Sequence, residues 1–163
     1  MVFQGRVRSV TAMLEAVRTA PDVVPGRGVG LRATAADNAR DCRDLLADGE
    51  SLDACWRFGI LQTLDNYTSA RRRGGVELAA SVFAQEPEAT GAVEVDAAFA
   101  ALAEHLAERD GWTAPAWTSQ PSRHTAPWYP SVPVNWRADA DRETPPAFRR
   151  HGIFLTDRSL ARA

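Results

Sequence analysis

The residues best placed to do chemistry are few: two cysteines, three histidines and a set of acidic residues scattered among arginines. Cys42 and Cys55 form no Cys-x-x-Cys pair and match no zinc spacing. Both fall in helical patterns, where a cysteine packs as a small apolar residue. His105, His124 and His151 belong to different expected elements. His105 and Glu108 stand at i, i+3 and can share a helix face, but no third ligand accompanies them, so a solvated face is the simpler reading. Asp37/Asp41, Asp41/Asp44 and Asp139/Asp141 are spaced for paired-carboxylate work. They alternate with Arg40, Arg43, Arg137 and Arg142, the pattern of a charged outer surface. No serine, threonine or cysteine stands in the local setting of a nucleophile.

Glycine and arginine raise the question of phosphate binding. Gly26-x-Gly28-x-Gly30 lacks the spacing of a dinucleotide fingerprint, and a P-loop needs a lysine that this chain does not have. A connector is the better reading. All 19 basic residues are arginine. With abundant alanine, that bias points to GC-rich coding and weakens any step from arginine richness to phosphate. The net charge of -2 excludes a general polyanion binder, so a nucleic-acid role needs a local patch. Arg71-Arg72-Arg73 is the densest such run. It reads first as charge complementing a helix C-terminus, and second as an anion or nucleic-acid contact. Arg149 to Ala163 hold four arginines and one acid, Asp157, interspersed with Ile153, Phe154 and Leu155 as exposed apolar groups. Arginine among large apolar groups is the composition of binding surfaces, and equally of a C-terminal clip closing a core.

Helices must position these residues. Val10, Met13, Leu14 and Val17 mark one amphipathic face, capped at Ser9 and closed by Pro21. A second helix is expected over residues 34–47. A third begins at Ser51, carries Leu52, Cys55, Trp56, Ile60, Leu64 and Tyr67, and breaks at Gly74-Gly75. A fourth covers 76–85. A fifth covers 93–109, with Val95, Phe99, Leu102, Ala103 and Leu106 inward and Gly111 as its stop. Four of the five tryptophans (Trp112, Trp117, Trp128 and Trp136) lie within residues 112–136 among five prolines. Prolines there forbid long helices and central strands, yet the aromatics favour burial. This predicts an ordered arm wrapping the helical body. Thr144-Pro145 reads as an N-cap with proline at N1, leading into a short helix from Pro146 to His151 that ends at Gly152, and Thr156 caps a last turn. The beginning lacks a signal-peptide pattern, and no apolar run reaches membrane-spanning length, so the expected location is cytoplasmic.

Part of this succession is familiar. Glu86-Pro87-Glu88-Ala89-Thr90-Gly91 precedes Val95-Asp96-Ala97 and the run Ala101 to Ala107. Then come Pro115-Ala116-Trp117, Trp128, Pro146 to Phe154, and Leu160-Ala161-Arg162-Ala163. Over roughly residues 50–163 this resembles the C-terminal region of actinobacterial proteins that carry an Xre-type helix-turn-helix and are often encoded beside a nucleotidyltransferase-like protein, in toxin–antitoxin-like pairs. The resemblance implies a helical interaction module. Residues 1–49 depart from it, showing no pair of short helices joined by a tight glycine turn.

The sequence therefore predicts a single all-α domain: divergent N-terminal helices at 1–49, a helical core at 50–111, and an arm and clip at 112–163. The expected function is a non-enzymatic, antitoxin-like or regulatory protein that binds a partner, for which the resemblance implies the nucleotidyltransferase-like protein. Expected contacts are Trp128, Phe148, Arg149, Arg150, Ile153 and Phe154, with no catalytic residue, metal or cofactor. The first alternative is a DNA-binding regulator acting through Arg71, Arg72 and Arg73. The second is an enzyme with a pocket around Trp112, Trp117 and His124.

Overall fold

The structure, a computed structural model, describes residues 30–160. The helix expected around Val10 to Val17, and Gly26 and Gly28, lie outside the described residues. Thr34 opens the first described helix, α1 (Ala35–Ala47), with a capping box: its hydroxyl accepts from the Asp37 N–H, and the Asp37 carboxylate accepts from the Thr34 N–H. Ser51 caps α2 (Leu52–Cys55) by accepting from the Ala54 N–H.

At that point the third predicted helix departs from regular geometry. Trp56–Ile60 form a π-turn, and only then does α3 (Leu61–Ala80) begin. The close approach of α1 accounts for the composition of this turn. A Cβ on Gly59 would lie 2.1 Å from the Cys42 sulfur, so only glycine fits against that helix. The Gly59 carbonyl accepts from the Thr63 hydroxyl at 2.8 Å, and that hydroxyl accepts in turn from Asn38 of α1 at 2.7 Å. A buried polar chain thus ties α1 to the turn.

The predicted break at Gly74-Gly75 is present: both residues leave helical geometry, Gly75 at φ 75°. The helix resumes to Ala80, and a 3-10 turn, Ser81–Phe83, follows. α4 (Val93–Asp110) is the centre of the fold, with alanines 97, 98, 100, 101 and 103 all buried. A helix buried nearly all round needs small side chains where neighbours cross it. Asp96 receives both the Thr90 N–H and the Thr90 hydroxyl at its start, and Gly111, at φ 76°, ends it.

The Trp/Pro segment is ordered and wraps α4, as the sequence predicts. Its 3-10 turns Ala116–Ser119 and Pro121–Arg123 pack on α4. The indole N–H of buried Trp117 donates to the Phe83 carbonyl at 3.1 Å. Further on come a 3-10 turn, Val134–Trp136, then α5 (Arg137–Glu143), α6 (Pro146–Arg150), and a last 3-10 turn, Asp157–Leu160. The helix at 137–143 was not expected. α6 starts at Pro146, but its N-cap is not the predicted Thr144. Pro145 is its N-cap, while the Thr144 hydroxyl donates to the Ala140 carbonyl and accepts from the Leu155 N–H at 2.9 Å. Gly152, at φ 83°, ends α6, and a Cβ there would meet the Thr125 carbonyl oxygen at 2.1 Å. Among the described residues the fold is all-α. Its one extended pairing is the parallel bridge between Trp128 and Ile153, made by the Trp128 and Phe154 N–H groups.

Candidate functional site

The predicted contact residues separate into two groups. Phe148 and Ile153 are fully buried, as is Leu155. The expectation that Ile153 and Leu155 are exposed is corrected: both join the core cluster with Trp56, Phe99 and Leu106. The cause is the Trp128–Ile153 bridge, which draws the segment after α6 beneath the arm. Phe148 packs edge-on to Trp56, at 6.3 Å between ring centres, and lies 5.5 Å from the His105 ring. His105 is therefore half-buried and not on a solvated face; burial pushes its imidazole below the usual range.

Arg150 is exposed but engaged. It spans Glu104, at 3.0 Å, and Glu108, clipping α6 to α4. His151, at 1% exposure, lies beneath it, with Nδ1 2.6 Å from the Arg123 carbonyl and Nε2 3.2 Å from Glu104. Burial pushes the Glu104 carboxyl up, but the hydrogen bond from Arg150 and the neighbouring His151 outweigh it, and the group stays below its ordinary value. The exposed His124 ring stacks on His151 at 4.7 Å. Two histidines distant in sequence are thus neighbours, and their ring contact joins the arm to α6.

The remaining contact residues belong to a surface that sequence reasoning only partly located. Arg149 lies over the Phe154 ring at 5.6 Å, Phe154 stacks on Tyr129 at 5.2 Å, and Arg137 covers Tyr129 at 4.8 Å. The ladder is two stacked rings with a guanidinium at each end. Its Tyr129 hydroxyl donates to Asp141 at 2.8 Å, a bond that raises the phenol above its ordinary value. Trp128, half-buried, sits edge-on to Trp56 at 6.0 Å.

Beside the ladder two grooves meet at Ser51 and Asp53. One, of about 590 Å³, runs along Trp128, Tyr129 and Arg137. The other, of about 960 Å³, runs along the π-turn past Arg57 and Phe58 to Ser131 and Arg158. A third hollow continues from Ser131 and Arg158 to Trp136. Two large aromatic side chains stand unburied along this path, Phe58 at 57% exposure and Trp136 at 46%. Phe58 faces out because Trp56, Gly59 and Ile60, at i, i+3 and i+4, take the inward face and leave the i+2 position outside. The inward stripe of Cys55, Trp56 and Ile60 already leaves Phe58 outside, but its part in a groove depends on Ser131 and Arg158, far away in the chain.

The other predicted features lie elsewhere. Arg71, Arg72 and Arg73 are exposed at the end of the first stretch of α3, where the sequence places them. Trp112 and Trp117 both meet Phe83, while His124 goes to His151, so the three do not converge. Cys42 and Cys55 are buried free thiols, each donating to the other's carbonyl at 3.7 Å. Burial raises both thiols, which makes them poor nucleophiles. Among the described residues no cluster of three or more His, Cys, Asp or Glu is arranged for a metal, and no helix is long and apolar enough to cross a membrane. No protein-family model, curated protein or solved structure matches this chain.

Proposed function

We propose that this chain is a non-catalytic regulatory protein of antitoxin-like type, and that it acts by covering a surface of a partner protein. The observation that carries the reading is the pair of exposed aromatics Phe58 and Trp136, which line grooves joined at Ser131 and Arg158. Exposed aromatics with arginine at their edge are what anchors of protein interfaces look like. Groups of this size left open to water favour association by about 25 cal/mol per Å² of apolar surface removed.

The chemistry of the rim selects the partner. Arg137 and Arg158 border the grooves, and the Asp53 carboxylate is occupied by the Ser131 N–H. Glu143 and Asp157 stand on the same rim, so the matching segment is apolar with charges of both signs at its edge. The family resemblance names the candidate carrier as the nucleotidyltransferase-like product of the adjacent gene. Within this reading Trp128, Phe154 and Arg149 belong to the interface, while Phe148, Ile153 and Arg150 hold its underside in place. Co-expression of the two proteins followed by size-exclusion chromatography tests it. Co-elution in a defined ratio supports the proposal, and separate elution at micromolar concentration removes it.

A further inference from the structure

The three consecutive arginines of α3 do not act as one patch. Arg73 is pinned by hydrogen bonds to two carbonyls, that of Ser69 from Nε and that of Gly30 from the guanidinium end. Arg71 and Arg72 instead line an open pocket of about 540 Å³ together with Thr68, Gly75, Val76 and Arg109, which arrives from the end of α4. The hydroxyl of Thr68 is turned to the Leu64 carbonyl, so that residue supplies wall and not a donor. Gly75 has nothing within 4 Å of where a Cβ would stand, which keeps the pocket mouth clear.

The electrostatics of this pocket are unbalanced. One carboxylate, Asp110, serves it: Arg109 pairs with Asp110 at 2.8 Å and Arg71 at 3.5 Å, and the carboxylate also accepts from Tyr67 at 2.7 Å. Asp110 is itself nearly closed to solvent, at 4% side-chain exposure. Arg72 has no hydrogen bond or ion pair among the described residues. Three guanidiniums facing one carboxylate leave an excess of two positive charges at a concave surface. The match in charge is a phosphoryl group, which carries about -1.5 to -2 near neutral pH. The match in shape is the planar guanidinium fork, which takes two phosphate oxygens at once.

We infer that Arg71, Arg72 and Arg109 form a binding site for a phosphoryl group. Asp110 fixes Arg109 and Arg71 in direction, and Arg72 supplies the cation that the ligand neutralises. The site uses no residue of the proposed interaction surface, so either can fail while the other stands.

Isothermal titration of the full chain with inorganic phosphate, pyrophosphate and a short DNA duplex at low ionic strength tests the site. Amide shifts in NMR spectra provide the location. The expected result is saturable binding of at least one of these, with shifts at Gly75 and Val76. Arg72→Ala weakens it about tenfold, and Arg73→Ala leaves it within about twofold. Binding of the duplex with the same dependence on Arg72 assigns the phosphates to a nucleic-acid backbone, with affinity falling steeply in salt. Binding of pyrophosphate alone assigns them to a small ligand. Absence of binding in all three arms overturns the inference, as does binding that Arg72→Ala leaves intact while the variant remains helical by circular dichroism.

Discussion

The Asp53 carboxylate accepts a 2.9 Å hydrogen bond from the backbone N–H of Ser131, joining the start of the π-turn segment to the tip of the Trp/Pro arm. Ser131 sits at φ 53°, in the left-handed region that a serine adopts only when held there. The two facts predict changes of opposite sign. Asp53→Ala frees the tip and lowers stability by about 1 kcal/mol, since the bond is exposed. Ser131→Gly relieves the backbone and is neutral or stabilising by up to about 1 kcal/mol. Urea denaturation of both variants checks this. A stabilising Asp53→Ala would mean that the bond does not hold the turn.

Gly59 and Cys42 give the sharpest packing test. The Cβ of Gly59→Ala would have to occupy the space of the Cys42 sulfur, so this substitution is expected to cost about 2–3 kcal/mol or more. Cys42→Ala removes the sulfur and is expected to recover much of that loss. A double-mutant cycle measures the coupling. Simple additivity of the two changes would show that the π-turn tolerates a side chain.

Acid and alkali should each loosen the contact between α3 and α4. The hydrogen bonds from Arg109, together with that from Tyr67, overcome the opposing effect of burial and hold the Asp110 carboxyl at about 2 against an ordinary 3.8. A lowered folded value stabilises above the ordinary one, and that stability is lost as pH falls from about 4 to 2. Burial and the bond to Asp110 push the Tyr67 phenol up to about 12 from 10. A raised value for this acid favours the fold below pH 10 and is lost as pH rises towards 12. Asp110→Asn should flatten the acid limb of the stability curve. An unchanged acid limb in that variant would contradict the assignment.

Burial separates Phe148 from the surface aromatics. Phe148→Ala empties a site between Trp56 and His105 and is expected to cost about 3–5 kcal/mol. Phe58→Ser, at an exposed position, is expected to stay within about 0.5 kcal/mol. Thermal unfolding of the pair distinguishes them. Equal losses would mean that Phe58 is packed.

Regular helices were legible because their signals are local. Thr34, Ser51 and Gly111 mark ends through a cap or a positive φ, and the period of Val95, Phe99, Leu102 and Leu106 marks the inner face of α4. The Gly74-Gly75 break was legible for the same reason. What escaped depends on partners distant in the chain. Gly59 is explained only by Cys42 of the neighbouring helix, and Ile153 turns inward only because Trp128 pairs with it. His124 and His151 meet through the path of the arm, which its prolines shape without announcing its direction. Composition located arginine and aromatic groups near the C-terminal clip. It did not separate the buried Phe148 and Ile153 from the ladder of half-buried Tyr129 and Phe154 between exposed Arg137 and Arg149.

The central proposal is that the face bearing Phe58 and Trp136 binds an apolar partner surface. The most direct test is the Kd of the proposed partner, the purified product of the adjacent gene, for the native chain and for the double variant Phe58→Ser/Trp136→Ala, with Tm recorded for both. Two anchor residues of this kind predict a loss of about a hundredfold or more in affinity, with Tm unchanged within about 2 °C. An affinity equal for the two proteins, at equal Tm, would contradict the claim.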